Sequence, residues 1–485
     1  MVPRRHSLQR PVSSRGRPMN ASPAADTDRR SLNGAFVGIL LANCAASFLV
    51  AGAGVYTASA LAAFGSEALL GLTFTLEGLG RCLMLPVAAN LGDRFGRRRI
   101  FLVGVAAFLC STLACAVAPN AALFLAGRTA MGFAWGLFLA NGFALINDTY
   151  GARSGARRTG YAQAAGTAAM LAGPPLAGLC ADWLTWRLAL GVAVPLLGIA
   201  YTLASRCLQA SNQARTGVVD IGGLLLLAAV LTPFTLAMAW GGRSLPWNSV
   251  AIYLLAGLAA VGLAALARVE SKASVPIFPA DVLSHRAFRT VFAISFFSAM
   301  VGSAGNFLPA FVQEEIGASA TASGIVSAPG LVVSAVGAAL LGRRLAATQR
   351  FKGAVAFWAL AVTAVTAVYA SFGAHTTLMA VVGSSSLLGL ALTPMMVVPY
   401  TFAMAALPAA QVSSGVGLLA FGAAVANTLG SGVMTAVADT GLANVFRCTV
   451  VFAIPCLAAA IAFRFPASSK TPDAQVEHDD ADPAH

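Results

Sequence analysis

The chain has 485 residues, of which 58% are hydrophobic and 10% are charged, and its mean hydropathy is +0.77. Soluble domains carry about 25% charged residues, so this composition excludes an ordinary soluble protein and indicates a chain whose solvent is lipid. The formal net charge is +13. That charge does not indicate a nucleic-acid partner, because the basic residues form short clusters between apolar segments, as in membrane loops.

Two polar tails enclose the apolar part of the chain. Residues 1–33 are rich in Arg, Ser and Pro, and the late position of the first apolar segment predicts a disordered tail rather than a signal peptide. Residues 466–485 are polar and acidic and are also predicted to be disordered. Between the tails lie fourteen apolar segments of about the 20 residues that a bilayer crossing needs. Their predicted bounds are 34–56, 68–90, 100–118, 121–148, 160–181, 186–204, 220–240, 249–267, 290–312, 322–342, 353–371, 376–404, 412–436 and 442–464.

These segments predict an all-α integral membrane protein. They are continuously apolar, whereas strands of a β-barrel alternate, and their many Gly and Ala residues suit close helix packing in lipid. By spacing they group as six, two and six. The predicted domains are a six-helix bundle at 34–204, a two-helix insert with its linker at 205–289, and a second six-helix bundle at 290–465.

Charge predicts the orientation. With the N-terminus inside, 26 of the 31 Lys and Arg residues fall on the tails and inward loops, and three fall at outer ends. This bias predicts a multi-pass protein of the plasma membrane with both termini in the cytoplasm. Tryptophans at the predicted outer boundary are expected to anchor the helices at the headgroups; they are Trp183, Trp186, Trp240 and Trp247.

The sequence contains no recognisable metal-binding or cofactor-binding motif. The eight cysteines lie mostly in apolar segments without a CxxC pair and are interpreted as small hydrophobic residues. The chain lacks HExxH and the nucleotide-binding pattern GxxxxGK[ST], so no metal, cofactor or ATP drive is expected. A membrane-embedded enzyme or receptor is the alternative of another class, but no polar catalytic cluster or folded soluble domain supports it.

Four stretches carry a family resemblance. "ANLGDRFGRR" (Ala89–Arg98) resembles motif A of the major facilitator superfamily, and "RTAMGFAWG" (Arg128–Gly136) resembles its motif B. "VDIGGLLLLAAVLTPFTLAMAWGGRSLPW" and "FLPAFVQEEIGASATASGI" resemble the fourteen-span drug:proton antiporter branch. Small residues and a proline in the fifth segment have the spacing of the antiporter motif C; they are Gly160, Gly173, Pro174 and Gly178. Ordinary small-residue packing is the alternative interpretation of motif C.

The resemblance implies the major-facilitator fold and a conformational latch at motif A. By this resemblance, Asp93 faces the start of a helix in the second bundle, and Arg97 pairs with Asp148. The corresponding loop of the second half, Gly342–Lys352, lacks the acid, which assigns the latch to the first half. The implied latch residues are Asp93, Arg94, Gly96, Arg97 and Asp148.

Two charges interrupt the second apolar segment. Glu77 lies nine residues after Ala68, which is about 14 Å deep in a hydrocarbon core of about 30 Å. Arg81 follows one turn later on the same helical face. One interpretation is an ion pair between the two that fixes packing; the other is a proton or substrate site, because intramembrane acids mark such pathways.

Other charged candidates extend this site. By the family resemblance, Arg128 faces the cavity and takes part in proton coupling. The first apolar segment lacks the acid often found in this branch, which leaves Glu77 as the acid deep in the first bundle. Glu314 and Glu315 lie near an outer helix end and are interpreted as entrance residues.

The predicted function is a secondary transporter, not an enzyme, that exports a small organic molecule in exchange for protons. It would work as a monomer in the bilayer. Metabolite uptake or facilitated diffusion by the same fold stays open as the alternative. The apolar composition of the spans suits apolar or amphipathic compounds without identifying one.

Overall fold

The computed structural model describes residues 23–208, 221–242, 245–270, 280–348, 350–373, 375–438 and 440–463. These ranges are almost entirely helical, with one isolated bridge between Gly241 and Leu245. Two 3₁₀ turns, Glu67–Leu69 and Ser303–Asn306, join helices. The α-helices are α1 Pro23–Ala63, α2 Leu70–Phe95, α3 Arg97–Ala116, α4 Ala121–Trp183, α5 Trp186–Gly191, α6 Ala193–Cys207, α7 Ile221–Trp240, α8 Val250–Glu270, α9 Ala280–Ser284, α10 Arg286–Gly302, α11 Leu308–Glu314, α12 Ala320–Thr348, α13 Phe351–Ala370, α14 Leu378–Ala406, α15 Ala409–Ala438 and α16 Leu442–Ala462.

The helices are long and apolar enough for a multi-pass membrane protein. Among the described residues, 13 helical segments can cross a bilayer by length and composition, and a shorter apolar helix lies at Leu225–Trp240. Two of the crossings are built from shorter pieces: α5 with α6, and α10 with α11. The prediction of an all-α integral membrane protein is therefore confirmed.

The first difference from the predicted segments concerns α4, which contains two of them. The predicted loop 149–159 is helical except at Gly151, where φ is 74° and ψ is 169°. A residue without a side chain adopts this positive φ without steric cost, so the chain can reverse direction there. A second difference is that α1 begins at Pro23, so residues 23–33 of the predicted tail are helical. Residues 1–22 and the acidic tail 466–485 lie outside the described ranges.

Packing divides the helices into two bundles and a pair. Helices α1–α6 pack mainly on one another, and α10–α16 do the same; they are called here the first and second bundle. Helices α7 and α8 pack together, and α7 also contacts α2 and α15. The bundles meet where α4 contacts α12 and where α2 contacts α15. The predicted boundaries at 204, 289 and 465 stay a prediction.

The two ends of the molecule are named by one residue each. The Asp182 end holds the beginnings of α2 and α12, and the Asp93 end holds the turn between α2 and α3. Trp183 is 81% exposed at the Asp182 end, as expected for a headgroup anchor. Trp186 is different, because it is buried against Phe64 and Phe124 at ring distances of 5.6 and 5.5 Å. The prediction that Trp186 anchors in the headgroups is therefore wrong.

Candidate functional site

Glycines bring α4 into close contact with α2. A Cβ atom on Gly132 would clash with the carbonyl oxygen of Glu77, and one on Gly136 would lie 3.0 Å from the carbonyl oxygen of Arg81. Because glycine has no Cβ atom, the two helix backbones approach more closely at these positions than any other residue would allow. Both glycines belong to the motif B stretch. They therefore bring Arg128, one turn earlier on α4, beside Glu77.

A buried cluster of Tyr56, Glu77 and Arg128, called here the Arg128 cluster, lies at this contact. Arg128 has no exposed surface, and Glu77 is 8% exposed. The Nη2 atom of Arg128 donates to Oε2 of Glu77, and its Nη1 atom donates to the hydroxyl of Tyr56 at 2.5 Å. The Tyr56 hydroxyl donates onward to the carbonyl oxygen of Leu49 at 3.1 Å. Because a buried charge is costly unless it is paired, each ion here depends on the other.

Arg81 is not the ion-pair partner of Glu77, so of the two interpretations offered for these residues, the ion pair between them is wrong. The Nη2 atom of Arg81 donates to Oδ1 of Asn427 on α15 at 3.3 Å. Its guanidinium lies 4.6 Å from the ring centroid of Trp135. The reason is that α2 is packed on two sides. The close α4 contact presents Arg128 to Glu77, whereas α15 of the second bundle presents Asn427 to Arg81.

The motif A residues form a hydrogen-bonded group within the first bundle. Arg97 donates to Oδ1 of Asp93 from Nε at 3.0 Å and from Nη2 at 2.8 Å. Its Nη1 donates to both carboxylate oxygens of Asp148, at 3.1 and 2.9 Å. Gly96 separates α2 from α3 with a φ of 91°, a value that favours glycine. Arg94 is exposed, with its guanidinium 5.4 Å from the ring of Phe95.

This group agrees with one expectation for the latch and differs from another. Arg97 pairs with Asp148, as the resemblance implies. Asp93, however, receives its hydrogen bonds from Arg97 and not from a helix of the second bundle. The physical reason is proximity, because Arg97 begins the next helix and its side chain lies one turn from Asp93.

Three of the four motif C residues lie where helices meet closely. A Cβ on Gly173 would lie 2.5 Å from the carbonyl oxygen of Phe48 on α1. Pro174 presents its carbonyl oxygen to Gly324 of α12, and Gly178 packs against Ala320 at the start of that helix. Gly160 has open space around its Cα, so it takes no part in this junction. Within α4 only Gly151 departs from helical angles, so Pro174 produces no break.

Cross-bundle contacts at the Asp182 end include residues that the sequence did not predict as functional. Asp182 accepts backbone hydrogen bonds from Ala320 at 3.0 Å and from Thr321 at 2.6 Å, and so caps α12. Carboxylates at helix N-termini are stabilising because unpaired N–H groups and the helix dipole face them. Ser59 donates to Oε1 of Gln313 at 3.1 Å. No sequence spacing could relate Asp182 to a helix that begins 138 positions later.

The predicted entrance residues lie at the same end. Glu314 ends α11 and Glu315 follows it, and both are exposed beside Gln313. Polarity inside an apolar segment is the sequence signal that could have identified two further residues, Tyr56 and Asn427. Among the described residues, no group of His, Cys, Asp or Glu has the arrangement of a metal site.

Comparison with known proteins identifies the family. A family model described as Major Facilitator Superfamily matches residues 36–352. Multidrug transporter protein MdtP of Bacillus subtilis (strain 168) is 29% identical over 264 residues, which are 54% of this chain and 48% of that protein. Methylenomycin A resistance protein of Bacillus subtilis (strain 168) is 30% identical over 308 residues, which are 62% of this chain and 65% of that protein. The chain thus spans about half the length of several curated relatives it matches.

Solved transporter structures share the fold. The crystal structure of the nucleoside transporter NupG aligns with a TM-score of 0.63 at 12% identity, covering 89% of this chain and 98% of that one. The crystal structure of the peptide transporter POT with alafosfalin aligns with a TM-score of 0.64 at 14% identity, covering 90% and 98%. At these identities the likeness shows the fold alone. Together with the family match, it shows that this chain belongs to the Major Facilitator Superfamily, and the relatives it matches are named as transporters rather than enzymes.

Proposed function

We propose that this transporter exports a small organic compound across the plasma membrane in exchange for protons, as a monomer. The names of its relatives, a multidrug transporter and a methylenomycin A resistance protein, support export as the direction. The distribution of Lys and Arg supports an orientation in which the Asp93 end and both termini are cytoplasmic. The predicted domain division accords with this proposal, with the α7–α8 pair as an insert between the two bundles.

One observation carries the proton coupling: the buried Glu77–Arg128 pair lies one helical turn from a hydrogen bond that crosses between the bundles. Protonation of Glu77 removes the negative charge that Arg128 pairs with. Arg128 then keeps its hydrogen bond to Tyr56, while its attraction to α2 weakens. Because Arg81 connects the same helix to Asn427, a shift of α2 changes the bundle interface. Proton binding at Glu77 is thus coupled to the conformation of the carrier.

The conformational cycle that we propose alternates between the two ends. Contacts through Asp182, Gly178 and Gln313 close the Asp182 end. In the opposite conformation those contacts separate, and Asp93 turns from Arg97 to the second bundle at the Asp93 end. The Arg97–Asp148 pair is retained in both conformations, because both of its members belong to the first bundle.

The test of proton coupling is Glu77→Gln, which keeps the side-chain shape and removes its titration. A compound is first chosen by comparing the susceptibility of a deletion strain with that of an overexpressing strain. Everted vesicles with an imposed pH gradient then measure its accumulation. We expect accumulation to fall to the background of vesicles without transporter, while exchange of labelled for unlabelled compound continues. Glu67→Gln, an exposed acid just before α2, is the matched control and should accumulate normally.

Misfolding is separated from loss of coupling by a second variant. Glu77→Gln alone leaves Arg128 buried without its carboxylate, a change that costs about 3–5 kcal/mol in other proteins. Glu77→Gln with Arg128→Gln removes both charges and should keep abundance and substrate exchange at least as high as in the single variant, without restoring proton-driven accumulation. Full accumulation by the Gln variant would reject Glu77 as the proton carrier. Loading of the compound only in the opposite direction would favour the uptake alternative.

The orientation has its own test. Reporter fusions after Arg99 and after Arg243 should report the cytoplasmic and the external side, respectively. The same side for both fusions would contradict the fourteen-helix topology, whatever the outcome of the transport measurements.

A further inference from the structure

A cavity of about 990 Å³ lies between α12 and α13 at the Asp93 end. Both helices pack on α14, whose Leu390 and Thr393 form the back wall. Leu340 and Leu341 of α12 line one side, and Phe357 of α13 lines the other. This space, called here the α12–α13 cavity, lies on the second bundle and is separate from the Arg128 cluster.

The α12–α13 cavity opens toward lipid rather than toward the bundle interface. Leu340 is 61% exposed and Phe357 is 38% exposed, although both are apolar. Leu360, one turn beyond Phe357, is 68% exposed and continues the same face of α13. In a membrane protein, exposed apolar faces of this kind contact acyl chains. The walls of the cavity therefore suit a hydrocarbon chain.

The mouth of the α12–α13 cavity is basic. Arg344, Arg350 and Lys352 line it and are exposed. The ion pairs identified among the described residues use Glu77, Asp93 and Asp148 as acids, and none includes these three cations. Helix α13 also begins here, and Gly353 in its first turn has open space around it. A helix N-terminus adds a favourable field for an anion to that of the three side chains.

We propose that the α12–α13 cavity binds an anionic phospholipid from the leaflet at the Asp93 end. Its acyl chain lies between α12 and α13, and its phosphate contacts Arg344, Arg350 and Lys352. The complementarity has two parts, apolar walls and a basic mouth at the membrane boundary, and an anionic lipid satisfies both. This inference goes beyond the proposed transport function and requires neither Glu77 nor proton coupling.

Lipid retention by the full-length transporter tests the proposal. Transporter in detergent is titrated with phosphatidylglycerol or phosphatidylcholine, and bound lipid is counted by native mass spectrometry. We expect one phosphatidylglycerol to be retained about tenfold better than phosphatidylcholine. Substitution of Arg344, Arg350 and Lys352 together by Gln should remove this preference. Arg286→Gln with Arg289→Gln, two exposed basic residues at the beginning of α10, is the matched control and should keep it.

A second pair of variants tests the apolar part without changing charge. Ala356→Trp fills the cavity and should also reduce phosphatidylglycerol retention about tenfold, because the acyl chain loses its space. Leu360→Trp, on the same exposed face but outside the cavity, should retain the lipid. Retention of phosphatidylglycerol by the triple Gln variant would overturn the proposal. So would a preference that arises only after removal of residues 466–485, because the acidic tail would then occupy the site in the intact chain.

Discussion

The Asp182 end and the Asp93 end hold their helices together by different means. At the Asp182 end, α4 of the first bundle contacts α12 of the second through Gly178, Pro174 and Gly324, with Asp182 capping α12. At the Asp93 end, Asp93, Arg97 and Asp148 bond to one another within the first bundle. One end is joined by close backbone contact across the bundles, and the other holds an ion network on one side only.

For the transport cycle that we propose, this difference indicates which contacts separate. Close backbone packing depends on shape and is destabilised by a single added methyl group. An ion network at the membrane boundary can exchange one partner for another, because its members are partly exposed and therefore also solvated. In this structure the two bundles are in close contact at the Asp182 end, and the variants below alter one end at a time.

The largest effect is expected for Gly324→Ala. Its new Cβ would meet the carbonyl oxygen of Pro174, which is backbone and cannot rotate away. We expect transport to fall more than about tenfold, because overpacking of this contact prevents closure of the Asp182 end. This loss is measured as transport of the screened compound in vesicles. Gly342→Ala on the same helix is the control, because its Cβ would meet Val397 at 3.7 Å, an ordinary contact.

Both alanines gain similar helix propensity, so a difference between them reports the packing contact rather than the helix itself. Equal transport by the two variants would show that closure at Gly324 is not needed in the cycle.

Asp182→Ala should have a smaller effect at the same end. Loss of a helix cap costs about 1 kcal/mol, which corresponds to about a fivefold change in the ratio of the two conformations. Distances between spin labels placed on α4 and α12 at the Asp182 end should show the closed population decreasing. Asp182→Asn keeps an oxygen acceptor and should change the distances less. An unchanged distribution in Asp182→Ala would assign the closure to the glycines alone.

At the Asp93 end, Asp93→Asn should reduce transport about threefold and leave membrane abundance nearly unchanged. The amide keeps one acceptor for Arg97, but it weakens the interaction that we propose for Asp93 with the second bundle. Transport normalised to abundance by immunoblot measures the effect. Arg99→Gln, an exposed residue at the start of α3, is the control. Normal transport by Asp93→Asn would mean that its carboxylate is not part of a latch.

The smallest effect is expected for Ser59→Ala. The hydroxyl gives one neutral hydrogen bond across the bundles to Gln313. Such a bond contributes about 0.5 kcal/mol net, which corresponds to about a twofold shift in the closed population. The same spin-label distances measure this shift in the closed population. An effect as large as that of Asp182→Ala would show that α1 and α11 matter as much to closure as α4 and α12.

The two ends also differ in how far the sequence predicts them. Motif A is contiguous, so the sequence predicts its position at a helix turn, and the family resemblance implies that Arg97 pairs with Asp148, 51 positions later. Asp182, by contrast, does not belong to any of the motifs identified in the sequence. Its partners are the backbone amides of Ala320 and Thr321, and a backbone amide has no sequence signature. Only the approach of the two bundles brings them together.

The sequence by itself predicts that the chain lies in lipid, that its apolar segments are helices, and that Glu77 is an acid whose burial in lipid is costly. A chain that is 58% hydrophobic with long apolar segments must form helices in lipid, because every backbone amide needs a partner there. Because a charged side chain in lipid is costly, the sequence also identifies Glu77, Arg81 and Arg128 as candidate functional residues.

The tertiary structure decided how these three residues pair. Helical spacing favoured Arg81 as the partner of Glu77, but Gly132 brings α4 so close to α2 that Arg128 takes that place, and α15 offers Asn427 to Arg81. Spacing along a helix fixes only which residues share a face, whereas the neighbouring helices determine which of them meet.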